Sequence, residues 1–178
     1  MGGGAVVRYM SGCGGKDVSN AALIFSVVPF TLKIDDNPLG TPKAIFDEMT
    51  AGIKEDRAKF FASFFRDFYG VSLLSHPVSE TLIENSNAVA MQAGLKGTLA
   101  FAAAFATTDF QLGHAHFTAP TLIIHGTEDK TVSIEAAGRA AAKSIATATL
   151  IEYEGAPHGL FATQKQRSTK DLLDFIKA

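Results

Sequence analysis

Two residues in this chain have the type, the spacing and the surroundings for proton-transfer chemistry. Asp129 follows the apolar run Thr121–Gly126 on a Gly-Thr-Glu-Asp turn, and His158 follows the run Thr149–Tyr153 within Glu154-Gly155-Ala156-Pro157-His158-Gly159. A carboxylate that orients an imidazole fixes its tautomer and stabilises its charged form, which is two-thirds of a nucleophilic triad. Each residue has a plainer reading on its own. Gly-Thr-Glu-Asp is good turn chemistry, and a histidine after proline is commonly a solvated loop residue. The pair is the stronger signal: both follow strands, and the 29 positions between them fit one crossover helix plus one strand. The missing party is a nucleophile.

The elements around the pair must bring it together. Parallel strands joined by a crossover helix deliver the loops after them to the same end of the sheet, where α/β folds place their chemistry. Between the two strands, Ser133 reads as an N-cap with Glu135 in the first turn, and Ile134, Ala137, Ala141 and Ile145 are expected to face the sheet. Near the start, Ala5–Met10 reads as a short helix stopped by Gly12, Gly14 and Gly15, and Gly2-Gly3-Gly4 as a tight turn passing close to other backbone. Val18–Val28 reads as a strand buried on both faces, ended by Pro29. From Thr41 to Thr107 the pattern is helical, with Thr41 capping and Pro42 at the first helical position, Ser79-Glu80 capping a later helix, and Gly94 and Gly97 interrupting. Phe60, Phe61, Phe64, Phe65 and Phe68 share one helical face and either pack a core or line an apolar pocket. In the last helix Leu172, Phe175 and Ile176 form the apolar stripe. The expected architecture is α/β, with about three parallel strands, flanking helices and an inserted all-helical cap: residues 1–30 and 111–178 as core, 31–110 as cap. With so few strands, the Val18–Val28 strand is expected to present an open apolar edge and to self-associate through it.

Other chemically active types carry less. His114-Ala115-His116 is weak evidence for a metal pair without a third ligand, so no metal is assigned. His76 beside Pro77 reads as solvated, and Cys13 among glycines as a surface thiol.

Composition bounds the rest. A chain of 178 residues with 47% hydrophobic and 19% charged residues is expected to fold as a globular domain. A net charge of −2 without a basic stripe makes nucleic acid an unsuited partner. A single cysteine fits a reducing compartment, and no apolar run reaches the roughly 20 residues of a membrane span. The expectation is a cytoplasmic protein with no membrane partner.

The chain resembles an α/β-hydrolase through Gly126…Asp129…Val132 and Pro157-His158-Gly159. It resembles one branch more closely, the cofactor-free (non-haem) haloperoxidases or perhydrolases with aryl-esterase activity. The matching stretches include Val28-Pro29, Asn37-Pro38, Asp56-Arg57, Phe60-Phe61, Met91-Gln92-Ala93-Gly94, Thr108-Asp109-Phe110, Pro120 to Gly126 and Tyr153 to Gly159. In that family the nucleophile elbow reads G-x-S-M-G-G-G, so Met1-Gly2-Gly3-Gly4 aligns just after the serine. The resemblance implies Asp129 and His158 as catalytic acid and base, and Met1 at an oxyanion-hole position. It implies no cofactor, and substrates that are small esters or carboxylic acids with hydrogen peroxide. It also places the serine and the preceding strands outside residues 1–178, so the chain alone is expected to be inactive. A carboxylesterase- or lactonase-like hydrolase, or a non-catalytic binding domain of the same fold, are the alternatives.

Overall fold

The computed structural model describes all residues from Met1 to Ala178. Three parallel strands, β1 (Ala21–Ile24), β2 (Thr121–Gly126) and β3 (Ala148–Tyr153), lie side by side in chain order. β2 is central and wholly buried, as its Leu122-Ile123-Ile124 run requires. One face of the sheet packs Leu23, Ile123 and Ala21 against Val7 and Met10 of helix α1 (Gly2–Cys13) and against Ala137, Ala141 and Ile145. The other face packs Leu122, Ile124 and Tyr153 against Leu160, Leu172 and Phe175. Those three come from the short helix α7 (Leu160–Thr163) and the C-terminal helix α8 (Lys165–Lys177).

Four helices separate β1 from β2: α2 (Lys43–Glu55), α3 (Arg57–Phe68), α4 (Glu80–Met91) and α5 (Leu95–Thr107). Two of them start on a local side-chain cap. The Asp56 carboxylate accepts from Lys59 N–H to open α3, and the Ser79 hydroxyl accepts from Leu82 N–H to open α4. No single helix is long and apolar enough to cross a membrane.

Several expectations need correction. The glycines at 2 to 4 form the first turn of α1 and not a separate tight turn, although close approach is real: a Cβ on Gly3 would lie 1.7 Å from Ser26 Oγ, and one on Gly4 2.3 Å from the Phe110 ring. The first strand is four residues long and not eleven, because Phe25 takes a left-handed backbone (φ 38°) that ends the pleat. Thr41 is bridged to Leu32 as extended chain, so Pro42 is the cap of α2 and Lys43 its first residue. Ser133 does not cap a regular helix. The segment Glu135–Arg139 is a wide π turn, with Arg139 N–H donating to Ile134 O at 2.9 Å, and it runs into helix α6 (Ala140–Ser144). Gly94 caps α5, whereas Gly97 sits inside it. In α8, Leu172 and Phe175 face the sheet but Ile176 is mostly exposed.

Candidate active site

The two loops that matter leave the carboxyl ends of β2 and β3, and backbone contacts bind them to each other. Thr127 N–H donates to Tyr153 O (3.0 Å), Glu128 N–H to Ala156 O (3.1 Å), and Gly155 N–H to Thr127 Oγ1 (2.8 Å). Gly126 makes this fit possible: a Cβ there would lie 2.1 Å from Ala156 O, which is backbone and cannot swing away.

This clamp sets Asp129 beside His158. His158 Nδ1–H donates to Asp129 Oδ2 at 2.7 Å, and the carboxylate side chain is wholly buried. The other carboxylate oxygen accepts two backbone N–H bonds, from Thr131 (2.9 Å) and Val132 (2.8 Å). A fourth group approaches the carboxylate. His125 Nε2, on the penultimate residue of β2, lies 3.2 Å from Asp129 Oδ2. Since a carboxylate only accepts, the His158 hydrogen stands on Nδ1 and leaves Nε2 as the free base.

The electrostatics follow from these donors. Burial alone would raise the Asp129 pKa, but hydrogen bonds from His125 and His158, the His158 charge and the Val132 N–H outweigh it and hold the carboxyl at about 2. The folded value is thus below the ordinary 3.8, so the ionised carboxylate stabilises the fold at every pH above 3.8. That contribution, about 2 kcal/mol, is lost as pH falls from 3.8 through about 2. Urea midpoints measured between pH 6 and pH 2 should decline in that window, and Asp129→Asn should remove this part of the decline.

The His158 ring is held by aromatic rings from both layers. Its centroid is 4.9 Å from Phe25, just past β1, and 4.8 Å from Phe68, at the end of α3. Gly159 N–H donates to Phe68 O at 2.7 Å, so the histidine loop is bonded directly to α3. Phe25 adopts its left-handed backbone at the contact with the histidine, the kind of local strain that collects at functional sites.

The remaining phenylalanines of α3 do not form a filled core. None of α3 is fully buried, and Phe60, Phe61 and Phe64 instead line a cavity of about 660 Å³ with Phe46, Phe101 and Phe105. That cavity also reaches Thr131 of the acid loop and Met1, the N-cap residue of α1. No lining side chain carries a charge. A smaller cavity of about 250 Å³ adjoins it at Phe46, Met49, Phe60, Phe64 and Thr131, and Lys130 and Asp67 also line it, 3.7 Å apart.

The other candidates fall elsewhere. His114 is buried with Nδ1 2.5 Å from Ser144 Oγ, and His116 is exposed, so the two diverge and do not pair. Its partner Ser144 bonds backward to Ala140 O, which makes this contact a tie between connector and α6. His76 and Cys13 are exposed. No serine is hydrogen-bonded to His158. Ser26, next to Phe25, accepts instead from Val28 N–H. His125 is the residue beside Asp129 that the sequence did not single out: it sits inside an apolar strand, and the signal was a lone polar residue in Leu122-Ile123-Ile124-His125.

A parallel sheet carrying an acid after one strand and a histidine after the next, with helices inserted before them, is the C-terminal part of an α/β-hydrolase fold. The solved bromoperoxidase of Bacillus anthracis superposes with a TM-score of 0.95 at 34% identity, covering 100% of this chain and 65% of that one. An esterase from Exiguobacterium antarcticum superposes at 0.89 with 26% identity, covering 99% and 63%. Homologues of the chain are non-haem chloroperoxidases and esterases. It is 35% identical to a non-heme chloroperoxidase of Streptomyces lividans over 178 residues, 99% of this chain and 64% of that one. It is 34% identical to a bifunctional esterase/perhydrolase of Acinetobacter calcoaceticus over the same shares. The chain thus spans just under two-thirds of the length of the relatives it matches. No protein-family model matches it.

Proposed function

We propose that this chain supplies the acid, the base and the acyl pocket of a serine hydrolase of the non-haem haloperoxidase and perhydrolase type, with the nucleophilic serine carried by a segment outside residues 1–178. The observation that supports this most is the 2.7 Å bond from His158 Nδ1–H to buried Asp129, which leaves His158 Nε2 free to take a proton. The serine Oγ attacks an ester carbonyl as His158 Nε2 takes its proton, and Asp129 stabilises the imidazolium. His158 then returns the proton to the departing alcohol, leaving an acyl-serine. Water resolves that intermediate to a carboxylic acid. Hydrogen peroxide resolves it to a peracid, which oxidises halide in solution. Met1 stands at the N-terminus of α1, where backbone N–H groups are unpaired within the helix and suit an oxyanion.

Helices α2–α5, residues 31–110 with their connections, act as the cap. The uncharged, phenylalanine-lined cavity fits an apolar acyl group and keeps water from the reacting centre. The esterase and perhydrolase relatives fit one site, since the two outcomes differ only in what resolves the acyl-serine. Fluorophosphonate labelling tests the reading: the 178-residue chain should not label, and stoichiometric serine labelling of it would contradict the assignment.

The open side of β1 is the proposed contact between copies of this chain. Ala21 and Phe25 donate their N–H groups toward β2, so by strand alternation Ala22 and Ile24 point theirs outward, with no strand beyond them. Sedimentation should show concentration-dependent association that Ile24→Lys reduces. A monodisperse monomer at all concentrations would count against it.

A further inference from the structure

We propose that His125 is a positioning residue for the Asp129 carboxylate, holding it in the orientation that His158 needs. The proposal rests on the acid–base reading of Asp129 and His158 and concerns how that pair is held.

The His125 ring is completely buried at the end of β2, and its Nε2 is 2.9 Å from Val132 O. A carbonyl oxygen only accepts, so the ring hydrogen stands on Nε2. The same Nε2 also stands 3.2 Å from Asp129 Oδ2, to the side of its bond to Val132 O. Oδ2 thus faces two imidazole nitrogens, and Oδ1 two backbone N–H groups. The backbone donors fix one oxygen. Without His125, nothing but His158 itself would orient the other.

The rest of the ring argues against a purely packing role. His125 Nδ1 is buried and has no partner. An orphaned buried nitrogen costs stability, and an apolar side chain, such as the neighbouring Ile124, would avoid that cost. The surrounding chain is also shaped to admit this ring. Gly138 lies in the π turn over it, and a Cβ at Gly138 would stand 2.9 Å from His125 Nδ1.

The test is imidazole and carboxyl NMR on the full chain, which needs no turnover. In the unaltered chain His125 should carry its hydrogen on Nε2; a ring protonated on Nδ1 alone would overturn the proposal whatever the variants do. His125→Phe keeps the ring volume and removes the donor. The Asp129 titration should then move from about 2 toward 3.8, and the His158 Nδ1–H resonance should weaken through faster exchange. His125→Gln places an amide N–H near the lost one and should restore both. Unchanged Asp129 and His158 signals in His125→Phe would overturn the proposal. If that variant does not fold, Gly138→Ala displaces the ring while keeping every polar group, and unchanged signals there would overturn it equally. A reconstituted enzyme that proves inactive while these signals behave as stated would sink the hydrolase reading and leave the positioning role intact.

Discussion

Asp129→Asn is expected to cost about 3 kcal/mol of stability, read as a lower urea midpoint at pH 7. Four donors converge on this carboxylate: the N–H groups of Thr131 and Val132, and the imidazoles of His125 and His158. An asparagine offers one oxygen in place of two. Its NH₂ faces either the two backbone N–H groups, which can only donate, or the two imidazoles, of which His158 can accept only in the other tautomer and His125 only by giving up its bond to Val132 O. Each donor left without an acceptor in a dry site costs roughly 1–3 kcal/mol. The same change removes the anion that holds the His158 hydrogen on Nδ1. In a chain completed with a nucleophile, it should also lower kcat by about 10⁴-fold. A variant as stable as the parent would show that the carboxylate is not the hub of this site.

His158→Ala should behave in the opposite way. Its Nε2 makes no hydrogen bond within the chain, and its ring contacts are with Phe25 and Phe68. Stability should fall less than for Asp129→Asn, because no buried donor is stranded and Asp129 keeps three of its four donors. Activity should fall further. In the chain extended by the N-terminal segment of the Streptomyces lividans relative that it does not match, loss of the general base should reduce ester hydrolysis on the order of 10⁶-fold. Hydrolysis of a p-nitrophenyl ester by the extended chain and its variant reads this directly. The two substitutions therefore separate the structural member of the pair from the chemical one.

The acid–histidine pair was legible in the sequence because strand, turn and crossover helix each leave a local pattern, and parallel topology then forces the two loops together. Ser79 could be read as a helix cap for the same reason: its hydroxyl acts within three residues. What stayed hidden depends on partners distant in sequence. His125 looks like one more strand residue until the Val132 carbonyl and Asp129 are folded against it. The α3 phenylalanines have a helical period whether they fill a core or line a cavity, and only the placement of α2 and α5 decides that. The early end of β1 follows from Phe25 taking φ 38°, which its apolar neighbours give no hint of. The close approach of Gly138, in the π turn, to the His125 ring likewise joins residues distant in sequence.

The central claim is that Asp129 and His158 activate a serine borne outside these 178 residues. Fluorophosphonate labelling of the extended chain tests it most directly. The account predicts rapid labelling of one serine in the added segment, abolished in practice by His158→Ala and slowed by Asp129→Asn. Equal labelling rates in the parent and the His158→Ala variant would contradict it.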